Sequence, residues 1–176
     1  YHAARVDDIV RAAKTSHGTF YLYFSNKEDL FRSLVADVVE EMTSVAVSLG
    51  PVGPGPDGYE EIRSWLERFS DLYDRHGAIL RAWTEAEAYD AEFGGLATRE
   101  ASRFTEVLAR RLAESGHAVT SPEVAAVAIT AMVERFNYYR VSRGLEVDKE
   151  LALEAMARMI HTGCFLPGPM GQHSGG

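Results

Sequence analysis

One cysteine, Cys164, stands in the 176 residues. An internal disulfide needs a second and a cysteine-built metal centre needs more, so both are excluded. No apolar stretch approaches the ~20 residues that cross a bilayer, and the start shows no secretory signal. A cytoplasmic protein without membrane contact is therefore expected. No run alternates polar and apolar residues with the period of a strand, and no internal repeat is visible. Also missing are a phosphate-binding glycine loop, a His-Glu-x-x-His pair and a nucleophile beside a base. The six histidines are scattered. The expectation is a protein that is not an enzyme and holds no metal or cofactor.

What is present is ordinary in bulk and uneven in detail. Hydrophobic residues make up 46% of the chain, enough for one compact unit or two small ones. The net charge is −8, which at first sight argues against a polyanionic partner. Residues 1–34, however, carry five bases (Arg5, Arg11, Lys14, Lys27, Arg32) against four acids, so the acidity lies in the remainder. A near-neutral head on an acidic body permits nucleic-acid binding if the bases share a surface.

The hydrophobic spacing is helical throughout. Val6, Ile9, Val10 and Ala13 predict a short amphipathic helix over Arg5–Ala13, and "KTS" reads as a turn. Thr15 or Ser16 can cap a second short helix running to Phe24. Its Phe20 and Phe24, four apart, share one face. Asn26 or Ser25, with Glu28 and Asp29, starts a long helix over Lys27–Leu49. "GPVGPGPDG" (50–58) ends it. Tyr59–His76 is expected to continue as Ala78–Tyr89 after a break at Gly77. Gly94 and Gly95 are expected to precede a helix over Leu96–Ser115. "TSPE" opens a helix to about Ser142, with Ser121 as cap and Pro122 at the first position. A last helix over Asp148–Phe165 precedes a tail, 166–176, that reads as disordered. The fold expected is all-α: a head over residues 1–35 and a larger body over 36–165.

Two short helices joined by a tight turn form a helix-turn-helix, whose second helix can enter the DNA major groove. The residues suit that task. Gly18 lets backbone approach closely. His17 and Thr19 can reach base edges or phosphates. Tyr21 and Tyr23 can donate to phosphate oxygens, and Lys27 lies at a helix start that attracts phosphate. A small helical core edged with tyrosines would show the same spacing.

The stretch "RVDDIVRAAKTSHGTFYLYFSNKEDLF" (5–31) resembles the TetR/AcrR family of bacterial transcriptional repressors. The family's pattern falls on Gly18, Thr19, Phe20, Tyr21, Tyr23, Phe24, Lys27, Glu28 and Leu30. The resemblance covers about residues 1–35. It implies Ser16, His17, Gly18, Thr19, Tyr21, Tyr23 and Lys27 as positions contacting double-stranded DNA, and Arg5 and Thr15 are added beside them. Three departures are visible. Lys14 stands where the turn usually has glycine, and Ala4-Arg5 replaces threonines that would cap the first helix. The family's first helix is not seen ahead of Tyr1, so a preceding segment is expected.

For the body the resemblance implies an effector pocket and a homodimer built on the last two helices. The 121–142 helix is apolar almost all round, with Val124, Val127, Ala128, Ile129, Met132 and Val133, so several sides need cover. Leu151, Leu153, Met156, Met159 and Ile160 add a second apolar helix, and two copies can form a four-helix bundle. Trp65, Phe69, Tyr73, Trp83, Tyr89, Phe104, Met132 and Phe136 are the candidate pocket residues, suited to a planar apolar effector. The expected function is a dimeric DNA-binding repressor released by such an effector. The alternative is an all-helical small-molecule-binding protein or enzyme with no DNA role.

Overall fold

The computed structural model describes residues 5–87, 91–115 and 121–165. Among the described residues there are seven helices and no strand: α1 Val6–Ala12, α2 His17–Tyr23, α3 Lys27–Val47, α4 Pro56–Glu87, α5 Ala91–Glu114, α6 Pro122–Ser142 and α7 Lys149–Cys164. Side-chain caps place four of the starts. Ser16, Asn26, Ser121 and Asp148 each accept the backbone N–H three residues on, satisfying a donor that would otherwise be orphaned.

In the head α1 packs on α2, with Val10 and Phe20 buried between them. α3 carries on into the body, where it packs on α4 and α5. The body core gathers around α4, which touches α3, α5, α6 and α7. Its fully buried residues include Trp65, Leu66, Phe69, Leu72, Val133 and Leu153. Where α4 meets α6, a buried polar joint is satisfied from both sides. Ser70 Oγ donates to Asn137 Oδ1 at 2.7 Å, and Asn137 Nδ2 donates to the Val133 carbonyl at 2.9 Å.

Two expected interruptions are not there. α4 passes through Gly77 without a break. A Cβ on Gly77 would fall inside the contact distance of Val141 Cγ1 on α6, so the glycine exists to let two helices approach. α5 likewise starts at Ala91 and runs through Gly94 and Gly95. Residue Tyr89 and the tail 166–176 lie outside the described residues, so the expectations for them are not addressed. Cys164 is half-buried, and burial pushes its thiol pKa up, away from the reactive thiolate. No described helix is long and apolar enough to cross a membrane.

Candidate nucleic-acid interface

α2 presents two faces of opposite character. Phe20 is buried and Phe24 half-buried, their ring centroids 5.6 Å apart. Tyr21 packs edge-on against Phe20 at 5.2 Å while remaining 57% exposed, and Tyr23 is 75% exposed. Thr15, Ser16, His17, Gly18 and Thr19 are all exposed as well. Aromatic roots thus fix the helix and leave hydroxyls and imidazole outside. Between the tyrosines Leu22 is 81% exposed, a residue the pattern of spacing did not single out. Its only sequence signal is an apolar side chain on the same turn as two tyrosines.

The individual candidates differ from one another. Ser16 is first a cap: its Oγ accepts the Thr19 N–H at 3.0 Å and lies 3.0 Å from Thr19 Oγ1. Both hydroxyls keep further hydrogen-bonding capacity. Thr15 donates its backbone N–H to the Val10 carbonyl at 2.9 Å, closing the turn. His17 is not free to swing. Its Nε2 sits 2.6 Å from Asp7 Oδ1 on α1, an acid read from sequence only as a helix-start residue. With Nε2–H donating to that carboxylate, the neutral ring offers Nδ1 as an acceptor. Arg5 is exposed, with its guanidinium 3.7 Å from Asp7, a loose surface pair. Lys27 does begin α3, but its side chain is only 25% exposed and stands 3.9 Å from Glu28. The helix start beside it is partly used already, since Asn26 Oδ1 takes the Asp29 N–H at 2.8 Å.

Two backbone features bear on the site. Lys14 occupies the left-handed region at φ 52°, the conformation that favours glycine. Gly18 shows the reverse. A Cβ there would meet only Ser16 Oγ, at an ordinary 3.7 Å. Nothing inside the chain requires glycine at 18, although in a helix it costs about 1 kcal/mol against alanine.

In the body the aromatic candidates form a packed cluster. The Trp65 ring lies 5.3 Å from Phe104 and 6.2 Å from Phe69. Phe69 in turn lies 5.3 Å from Phe104 and 5.4 Å from Tyr73. Trp83 is buried too, while Met132 and Phe136 are half-buried on α6. These rings fill one another's space, and Tyr89 is outside the described residues.

The apolar residues of the last two helices divide cleanly. Ile129, Val133, Leu153, Met156 and Ile160 are buried within the chain. Val124, Val127, Tyr139, Leu151 and Met159 point outward, with exposures of 45–69%. Arg135 lies over the Tyr138 and Tyr139 rings at 5.5 and 5.8 Å.

Charges tie the helices together. Lys149 on α7 reaches Asp71 and Asp74 on α4, at 2.5 and 2.8 Å, and Arg140 on α6 meets Asp74 at 2.6 Å. Burial raises the Asp74 carboxyl, but hydrogen bonds and charge from Lys149 and Arg140 outweigh it and hold it below its ordinary value. Glu41 on α3 is handled alike: burial raises it, and Arg75 and His76 on α4 bring it down.

The family described as "Bacterial regulatory proteins, tetR family" matches residues 1–34. The chain is 31% identical over 110 residues to the HTH-type transcriptional repressor SCO4008 of Streptomyces coelicolor, covering 61% of this chain and 53% of that protein. It is 35% identical over 91 residues to the HTH-type transcriptional regulator EthR of Mycolicibacterium smegmatis, covering 50% and 40%. EthR of Mycobacterium tuberculosis is 30% identical over 91 residues, covering 52% and 42%. The chain spans about half the length of these relatives.

Proposed function

We propose, for a chain that belongs to the TetR family of bacterial regulatory proteins, that residues 1–35 bind double-stranded DNA and that residues 36–165 dimerise and take up a small effector. The observation that carries this reading is the two-faced α2. Phe20 and Phe24 anchor it, while Gly18, Thr19, Tyr21 and Tyr23 lie exposed on the outside. A glycine that the interior does not need leaves room for an external surface to come close. In the DNA complex Thr19 and His17 face base edges. Tyr21, Tyr23, Lys27, Arg5, Thr15 and Ser16 serve the phosphates, a role that orients without specifying sequence.

Dimerisation explains the outward apolar residues of α6 and α7. Val124, Val127, Leu151 and Met159 are of the kind that a second copy covers in a four-helix arrangement. A twofold dimer sets its recognition helices about 34–36 Å apart, one turn of DNA, and so reads a palindrome. The effector is read as a mainly apolar, aromatic compound received by Trp65, Phe69, Tyr73, Trp83, Tyr89, Phe104, Met132 and Phe136. It releases DNA by preferring a body conformation with a different head spacing, which requires about 1–3 kcal/mol of coupling.

The test is selection of bound DNA from a random pool by the full-length protein. A palindromic consensus is the expected result. Recovery of no enriched sequence, under salt conditions where the protein stays folded, overturns the DNA reading.

A further inference from the structure

Leu22 is 81% exposed, more than any other large apolar side chain among the described residues. A single leucine in water calls for no explanation by itself, but the place of this one does. At about 100° per residue around the α2 axis, Leu22 lies about 160° from each of Phe20 and Phe24, the rings that root the helix. It therefore marks the outermost line of α2. On the same scale Tyr21 and Tyr23 stand about 100° to either side of it, and Gly18, four residues before, only about 40° away. Exposure falls off on both sides, to 57% at Tyr21 and 75% at Tyr23.

The polar groups of the same helix lie off this line or are engaged. His17 is held by Asp7, at 2.6 Å. The Ser16 and Thr19 hydroxyls lie 3.0 Å apart, and Ser16 also caps the helix. Gly18 has no side chain, and a Cβ there would meet only Ser16 Oγ at 3.7 Å, so the surface beside Leu22 is low and open. The outer line of α2 is thus one projecting apolar side chain with a phenol on each flank. A leucine neither donates nor accepts a hydrogen bond, so it pairs with no phosphate, no guanine O6 and no adenine N7. Of the features that the base pairs show in the major groove, the apolar one is the thymine C5-methyl group.

We propose that Leu22 is a specificity-determining residue: it packs on the C5-methyl group of one thymine in each half-site, while Tyr21 and Tyr23 hold phosphates on the two sides of the groove. This rests on the reading that α2 enters the major groove, and it adds the side chain that faces the base edges and the base it selects. Packing leucine on a methyl group takes apolar surface of both out of water. Cytosine, with only hydrogen on the same carbon, returns less. The contact selects a T·A pair and involves no charge, so it is separable by salt from the phosphate contacts.

The experiment uses the full-length protein and the palindrome it selects from a random pool. Each thymine of the half-site is replaced in turn by deoxyuridine, which keeps the base pair and lacks only the methyl group. At one position this is expected to weaken binding about fourfold per half-site, the worth of burying one methyl group. Leu22→Ala, at an exposed position that the fold does not need, is expected to weaken binding to the thymine duplex by at least that factor. It is also expected to lose the sensitivity to deoxyuridine, the two changes removing one shared contact, and to leave the salt slope unchanged. Pool selection with Leu22→Ala is expected to return the same palindrome with that thymine relaxed. The proposal is overturned if no deoxyuridine weakens binding, if Leu22→Ala keeps the parent's sensitivity, or if it lowers affinity for all sequences equally. A selection profile that Leu22→Ala leaves unchanged overturns it too, and points to a protein partner for the leucine instead. In each of these cases the palindrome still stands, whereas a pool that yields no enriched sequence overturns the DNA reading and this proposal with it.

Discussion

Gly18 in the head and Gly77 in the body both sit inside helices, where each costs about 1 kcal/mol relative to alanine. The body glycine is explained by the interior: Val141 of α6 occupies the space a Cβ needs. The head glycine is not, because the space beside it is open. The same contrast holds for the aromatics. Trp65, Phe69 and Phe104 are sealed against one another, whereas Tyr21 and Tyr23 keep more than half their surface outside. Around Gly77 and the aromatic cluster the body fills its own space, whereas the outer face of α2 leaves its side chains exposed.

The sharpest way to break this contrast is to truncate one side chain in each region. Phe69→Ala is expected to cost about 3–5 kcal/mol in urea unfolding, the range for deleting a buried aromatic. Thr19→Ala is expected to stay within about 0.5 kcal/mol in stability. It should nonetheless weaken binding to the selected DNA about tenfold or more, as loss of a base-edge contact does. A Thr19→Ala variant that unfolds the head while sparing DNA affinity would reverse the assignment of the two regions.

Next in size is the glycine pair itself. Gly77→Ala should destabilise by about 1–3 kcal/mol through overpacking, despite the better helix former. Gly18→Ala should stabilise by up to about 1 kcal/mol and weaken DNA binding. Opposite signs in thermal unfolding are the outcome to look for, and equal signs would remove the distinction drawn above. Lys14→Gly comes third. Relief of the left-handed backbone is worth about 1 kcal/mol of added stability. If Lys14 also meets a phosphate, the slope of log affinity against log salt should become shallower by about 0.9.

The smallest effect separates the regions by pH. The folded-state pKa of Asp74 is depressed below its ordinary 3.8. Its contribution is therefore present above that value and is lost as pH falls through the folded pKa. In acid titrations followed by circular dichroism, Asp74→Asn should be less stable than the parent at neutral pH and should flatten the body's loss of stability below about pH 4, so that the two proteins converge in acid. A variant that loses stability equally at all pH values would assign Asp74 a packing role instead.

Much of the head was legible without coordinates, because its rules are local. Ser16 caps, Phe20 roots α2 and Asn26 starts α3, all within a turn or two of chain. The His17–Asp7 pair was not legible. It joins residues ten apart across a turn whose path depends on Lys14 adopting φ 52°. Gly77 was misread for a related reason. A glycine in a helical pattern looks like a break until the helix that needs its missing side chain is known. The α6 pattern, apolar almost all round, called for cover on several sides, but periodicity alone does not say that Val133 is sealed by this chain while Val124 and Val127 are left outward.

Helix type, the candidate caps and the aromatic roots of α2 came from the order of residues alone, since they rest on hydrogen bonds and spacings within a single turn or two. Which glycine is a contact, which apolar side chain is left exposed, and that the Trp65 indole N–H donates to the Val45 carbonyl near the end of α3 were decided only in three dimensions. Those properties belong to pairs of residues twenty or more positions apart, and only the packing of α4 against its neighbours brings them within reach.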